Sequence, residues 1–387
     1  MHILLIGGGN STHIFSVLAK KQDYDVTILT RNKKNWSNNI TINNYDLSLI
    51  NETKINASGI NIIDSYDSIP SNIDMIVLAG IPVEFYEDIL IKLEPHIKST
   101  IYIGSVCAYG GFQLIVKKVF KNKYNLVKIF GFQSIPWTCG IDEYGKSANL
   151  FGGKPQIHVA TDNLENLEIE KLFKILNKIT CEKILLIDFL TITLWPNNPL
   201  FHVPVLYGIF KNWDGHSLYD EDTIPNKIYA DVTEESARLV ELVDEELQNI
   251  IKKIKSILPD NKFLDNAKPL IECLKFHYGD KIGDCSSIYN IFRTNSAYSK
   301  HKIKYIKYDN NKIIPDINHK FFTTDTPFGL CLYKDFAESL KIKTPIIDKL
   351  IDWNQKFLNK EYIINSSLVG KDSNELLRPS QEYLPLM

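Results

Sequence analysis

Nine histidines occur in the 387-residue chain, and one of them sits where a proton-transfer group would be useful. His202 lies in Trp195-Pro196-Asn197-Asn198-Pro199-Leu200-Phe201-His202-Val203-Pro204-Val205-Leu206, an apolar run that should hold the ring in a partly dry crevice. Burial there would lower the imidazole pKa, and a neighbouring carboxylate would raise it again. Asn198 stands one helical turn earlier, so both side chains can face the same cleft. From these residues alone, a core histidine with satisfied hydrogen bonds is the plainer reading.

A second constellation suits phosphate. Gly7-Gly8-Gly9-Asn10-Ser11-Thr12-His13 follows an apolar segment, His2–Ile6, and opens a helical stretch. Gly7 can turn the chain sharply, and Gly9 lets the backbone approach a pyrophosphate. The helix behind them offers unpaired N–H groups and a positive dipole end. Thr12 replaces the third glycine of the dinucleotide fingerprint. A tight strand-to-helix turn without a ligand is the bland alternative. The next strand ends Leu29-Thr30-Arg31-Asn32-Lys33-Lys34, with no carboxylate for an adenosine ribose. Arg31 could clamp a 2′-phosphate, which favours NADPH over NADH; a solvated basic loop is the other reading.

These groups need a scaffold. Apolar strands are expected at His2–Ile6, Asp25–Leu29, Ile60–Ile63, Met75–Ala79, Thr100–Gly104 and Val127–Phe132, with later ones at Gln156–Ala160 and Lys183–Asp188. Helices are expected at Ser11–Gln22, Val83–His96, Gly111–Lys121 and Glu165–Asn177. Strands apolar throughout suit a parallel sheet covered on both faces. The fold class is therefore α/β: a Rossmann-like doubly wound sheet over residues 1–190. After that the rhythm turns helical. Glu234–Leu258 and Ile346–Phe357 carry apolar residues at helical spacing, the second behind Thr344-Pro345. Residues 191–387 are read as an all-α C-terminal domain.

Composition narrows the function. Hydrophobic residues make up 44% and charged ones 23% of the chain, and the formal net charge is −2. That balance argues for a folded protein without a nucleic-acid-binding surface. No stretch approaches the roughly 20 apolar residues that cross a bilayer. The first apolar run is short and lacks a basic leader, so it reads as a strand and the compartment as cytoplasm. Six scattered cysteines, without a C-x-x-C pair, suit reduced thiols rather than disulfides or a metal site.

Several further blocks occur in order: Gln133-Ser134-Ile135-Pro136-Trp137-Thr138-Cys139, His202 through Trp213-Asp214-Gly215, Thr294-Asn295-Ser296-Ala297-Tyr298, Thr323-Thr324-Asp325-Thr326-Pro327-Phe328-Gly329 and Thr344-Pro345-Ile346-Ile347-Asp348. Together with the glycine loop they resemble the octopine/nopaline (opine) dehydrogenase family along nearly the whole chain, most nearly its invertebrate octopine-type members. The resemblance implies NAD(P)H-dependent joining of an amino acid to a 2-keto acid, with pyruvate the expected keto acid, by a monomer or homodimer. It makes His202 the acid/base and Asp325 the carboxylate that orients and charges it; without it, Asp325 would read as a turn residue. Lys320 stands where octopine-type members carry an arginine for the keto acid, and Ser134 is the hydroxyl that also reaches its carboxylate. Gln133 falls where arginine-using members have an acid, and Glu272 lies near the place of a stacking aromatic, so arginine is not the expected amine; the alternative is that Glu272 itself supplies the charge. Two other readings stay open: a ketopantoate-reductase-like reduction of a plain ketone, and a cofactor-binding sensor without catalysis.

Overall fold

The computed structural model describes residues 1–385 apart from 155, 197 and 300, so Asn197 of the stretch around His202 lies outside the described residues. The chain divides into two compact units, Met1–Ile192 and Thr193–Met387.

In the first unit the apolar segments form the expected strands. They are β1 (His2–Ile6), β2 (Asp25–Leu29), β5 (Asn61–Ile63), β6 (Met75–Leu78), β7 (Ile101–Ser105), β8 (Val127–Phe132), β11 (Ile157–Asp162) and β12 (Ile184–Ile187). They build one eight-stranded sheet in the order β12-β11-β8-β7-β6-β1-β2-β5. Ile3, Leu4, Leu5, Met75, Val77 and Leu78 are wholly buried, as a sheet covered on both faces requires. Helices α1 (Asn10–Lys21), α2 (Tyr86–Leu93), α3 (Phe112–Val119) and α4 (Asn166–Thr180) cover it, α1 packing with α4 and α2 with α3.

Two features depart from a simple doubly wound sheet. First, β11 runs antiparallel to β8, and β12 parallel to β11, so the last two strands are reversed. No crossover helix follows β8. The chain passes instead through a side sheet and re-enters the main one from the opposite end. Second, that side sheet was not expected: β3 (Ile40–Asn44), β4 (Lys54–Ala57), β9 (Trp137–Glu143) and β10 (Ser147–Gly153) pair in the order β4-β3-β10-β9. In β3 the alternation is regular, Ile40, Ile42 and Asn44 inward, but it is too short and polar to read as a strand alone.

The second unit is mainly helical, and the helices that bear on its site include α5 (Asn198–Phe210), α6 (Glu234–Ile257), α7 (Cys331–Ser339) and α8 (Pro345–Phe357). The start of α6 is capped by Thr233, whose hydroxyl accepts from Ser236 N at 3.1 Å. The Glu246 carboxylate accepts from Ile346 N and Ile347 N at 2.8 and 2.9 Å, satisfying the free end of α8. The helical expectation is amended in one place, a small antiparallel sheet of β13 (Tyr219–Asp220), β14 (Tyr305–Tyr308) and β15 (Lys312–Pro315). Asn310 and Asn311 both take positive φ, 60° and 56°, giving the tight hairpin that joins β14 to β15. No helix among the described residues is long and apolar enough to cross a membrane.

Candidate active site

Helix α5 is apolar on every side and buries nearly all of its length, so it runs through the interior of the second unit. His202, on its second turn, is 4% exposed. Its Nδ1 lies 2.7 Å from Asp325 Oδ2, and its Nε2 lies 2.9 Å from the Tyr229 hydroxyl. A carboxylate only accepts, so Nδ1 carries the hydrogen, and the neutral ring takes the Tyr229 hydrogen at Nε2. Burial, first, pushes the Tyr229 phenol well above its usual range, so it remains a donor. The Phe321 ring lies over the imidazole at 3.8 Å between centroids.

Burial holds the His202 pKa below 6.5. The Asp325 hydrogen bond and charge work against it, and the Lys320 charge works with it. The ring is therefore neutral near neutral pH, ready to take a proton rather than to give one.

Asp325 is 1% exposed and is placed by an irregular segment. A short helix, Lys320–Thr323, leads into it, and a wide π-turn, Thr326–Leu330, leads away, closed by Leu330 N donating to Asp325 O at 3.1 Å. Such turns recur at functional sites because they re-aim one residue without breaking the helix. The turn can approach α5 because residue 329 has no side chain: a Cβ on Gly329 would sit 2.1 Å from Pro199 Cγ. From α8, Asn354 Nδ2 donates to Phe322 O at 3.2 Å and also to the Thr326 hydroxyl.

Other residues singled out from the sequence fall as follows. Asn198 begins α5 and is half-buried. Lys320 is exposed, yet near enough for its charge to act on His202. Glu272 faces solvent on the helix Leu270–Tyr278, with Lys268 Nζ at 3.8 Å, and is not among the groups that act on His202. In the first unit, Gln133 is buried just past β8, its N–H donating to His158 O at 2.9 Å, and Ser134 is half-buried beside it.

The glycine loop lies between β1 and α1. Gly7 has φ +132°, and a Cβ there would meet Ala79 O at 2.9 Å. A Cβ on Gly8 would come 2.5 Å from the Tyr144 hydroxyl. Gly9 caps α1 without a side chain, which leaves the first N–H groups of the helix open. The next side chains are engaged internally. Asn10 donates to Cys139 O at 3.3 Å and accepts from Ile141 N at 3.1 Å, and the Thr12 hydroxyl donates to Ala79 O at 3.1 Å. Their part is to hold the loop, and backbone N–H groups are what it presents to a phosphate. Beside it lies a cavity of about 540 Å³ lined by Gly7, Gly8, Thr30, Arg31, Asp64 and Tyr144. This cradle fits a dinucleotide: small residues, an open helix end and a cation at the tip of β2.

Residues 186–358 match the family model described as NAD/NADP octopine/nopaline dehydrogenase, alpha-helical domain. The whole chain is 27% identical to an opine dehydrogenase of Haliotis discus hannai over 96% of this chain and 93% of that protein. It is 25% identical to a tauropine dehydrogenase of Arabella iricolor, over 98% and 97%. The chain is thus similar to opine and tauropine dehydrogenases along nearly its whole length, and its second unit carries the match to the helical-domain model. A solved octopine dehydrogenase with NADH and L-arginine shares the fold of this chain, with a TM-score of 0.82 and 22% identity over 99% of this chain and 95% of that one. The family is one of NAD(P)-dependent oxidoreductases.

Sequence reasoning did not find Tyr229, Tyr144 or His13. Tyr229 is 27 residues from His202, in no recognisable motif. His13 is wholly buried; its Nδ1 bonds Gly9 O at 2.8 Å, and its Nε2 accepts from Gly145 N at 2.8 Å, tying the glycine loop to the β9–β10 hairpin. Only its position directly behind the loop could have drawn attention to it.

Proposed function

We propose that the protein catalyses NAD(P)H-dependent reductive condensation of an L-amino acid with a 2-keto acid, pyruvate foremost, to an N-(carboxyalkyl)amino acid. The observation that carries the reading is the buried His202–Asp325 pair in the unit that matches the family's helical domain. An amino acid must lose a proton before its nitrogen attacks the keto carbon, and the adduct must lose water to give the imine. A neutral imidazole takes that first proton and returns one to the departing hydroxyl. Asp325 fixes the tautomer and stabilises the imidazolium between the two steps. The cofactor supplies the hydride that reduces the imine carbon. NADPH oxidation that needs both an amino acid and a keto acid is the expected result. Oxidation with the keto acid alone would favour a simple ketone reductase, and none with any pair would favour a sensor.

NADPH is the proposed cofactor because Arg31 lines the cavity at the end of β2. Asp64, which reaches the same cavity after β5, is offset by Lys33 Nζ at 3.7 Å. The residues proposed for binding are Gly7, Gly8, Gly9, Asn10, Thr12 and Arg31 for the cofactor, and Gln133, Ser134, Asn198, Lys320 and Glu272 for the substrates, Glu272 being the partner a cationic amine would need.

The two partners of His202 push its protonation in opposite directions. In the oxidative direction the ring must be neutral, so kcat/KM falls as pH drops through its pKa. Asp325→Asn removes the influences that raise that pKa and should move the acid limb to lower pH. Tyr229→Phe removes a donor that only the neutral ring can accept, and should move it to higher pH. Two limbs shifting the same way in pH–rate profiles would refute the arrangement.

The amine is proposed to be neutral. A desolvated guanidinium needs an anion or an aromatic face, and leaving it unpaired costs several kcal/mol by general magnitudes, so ~10-fold or greater discrimination is expected. Gln133 is uncharged, and Glu272 is spent at the surface beside Lys268. Alanine or another apolar or amide amino acid should therefore exceed arginine in kcat/KM with pyruvate. Efficient arginine turnover would overturn this.

A further inference from the structure

One lysine of the first unit is drawn in from solvent without a carboxylate partner among the described residues. Lys154 follows β10, where the chain returns to the main sheet, and is half-buried. Its Nζ donates to the Ser134 hydroxyl, just past the end of β8. The Cys107 thiol, just past β7, and His158 on β11 are the titratable groups coupled to it. Asp46 and Glu182 pack against the adjacent Gly153, yet neither acts on the Lys154 amine. No carboxylate pairs with it among the described residues. Burial pulls its pKa down to about 8, against the Cys107 thiol, and its charge helps to lower the pKa of His158.

Keeping an uncompensated cation out of water is costly unless an anion arrives. The place is suggestive of which anion. Ligands of open α/β sheets bind beyond the carboxyl ends of the parallel strands, and Ser134 and Cys107 follow two of those ends. The glycine loop leaves β1 at the same end, three strands along, or about 14 Å at the usual strand spacing. That separation puts Lys154 outside the phosphate cradle and on the side toward which an extended dinucleotide points its reactive ring.

We propose that Lys154 Nζ, together with the Ser134 hydroxyl, anchors the carboxylate of the 2-keto acid. This rests on the opine dehydrogenase reading above, and it places a cation for the keto acid in the first unit. Lysine here is a point charge whose donors can serve the hydroxyl and a carboxylate at once. The charge is present below about pH 8 and lost above it.

The test compares wild type with Lys154→Gln, which removes the charge, and Lys154→Arg, which keeps it at every accessible pH. The expected result is a KM for pyruvate at least about tenfold higher in Lys154→Gln near pH 7, a loss of roughly the size of one charge-assisted hydrogen bond. The wild-type KM should also climb above pH 8, and Lys154→Arg should flatten that climb. The KM for the amine and the Kd for NADPH should stay put. In parallel, calorimetric titration of the enzyme–NADPH complex with oxamate, an unreactive pyruvate isostere, reads the anchor without turnover. Should wild type condense no pair yet bind oxamate, and Lys154→Gln fail to bind it, the opine reading falls and the anchor stands. Equal oxamate affinity and equal pyruvate KM in wild type and Lys154→Gln would overturn the anchor whatever the reaction. If Lys154→Gln does not fold, wild-type oxamate affinity against pH decides: loss above about pH 8 supports the anchor, and a flat profile through that range refutes it.

Discussion

Replacing His202 with alanine should lower turnover by roughly 10²–10⁴-fold, the usual share of general acid–base catalysis. The ring is 4% exposed and held at both nitrogens, so its orientation toward Asp325 and Tyr229 is fixed. The substitution also strands Asp325 as a buried carboxylate, so His202→Gln, which retains an amide N–H for it, is the better-folded companion. Both variants should bind NADPH with nearly wild-type affinity, because the glycine loop belongs to the other compact unit. Fluorescence titration of the cofactor beside steady-state kinetics separates lost chemistry from lost folding. Near-normal turnover in either variant would remove His202 from the proton path.

Arg31→Ala should erase most of the preference for NADPH while leaving NADH kinetics almost untouched. A charge-assisted pair with a phosphate contributes about 1.5–3 kcal/mol, so a loss of roughly tenfold to a hundredfold in NADPH kcat/KM is expected. Arg31 is exposed on the cavity wall, so the change should cost little stability. A wild-type enzyme that prefers NADH would make Asp64, on the same wall, the partner of a ribose hydroxyl instead.

The main sheet was legible because its strands are apolar on both faces and bounded by turn residues. β1, β2 and β8 fall at the expected residues. The side sheet was not. Ile40–Asn44 and Ser147–Gly153 carry half-polar patterns, and the pairing that joins their two hairpins into one sheet links segments remote in sequence. At the site, the 123 residues between His202 and Asp325 defeat any spacing rule, and only the family resemblance joined them. Tyr229 and Lys154 were invisible for a related reason. A tyrosine among apolar residues and a lysine after two glycines look ordinary until tertiary structure shows what faces them. Glu272 drew attention by its position in the chain, and it lies exposed on its helix with Lys268 Nζ at 3.8 Å.

The bond between His13 and Gly145 bears on the order in which the protein can be made. It joins residues 132 apart, and β3 meets β10 across a comparable span, so neither contact can form before the chain is synthesised past the β9–β10 hairpin. The glycine loop is made well before the hairpin that supports it, so its supports are among the last of its unit to arrive. Long-range closures of this kind are late and slow steps in folding. A nascent chain carrying only the first strand–helix–strand would hold every glycine of the nucleotide fingerprint and still lack the shape that grips the cofactor. Competence to bind it is thus a property of the completed unit, acquired at one late closure.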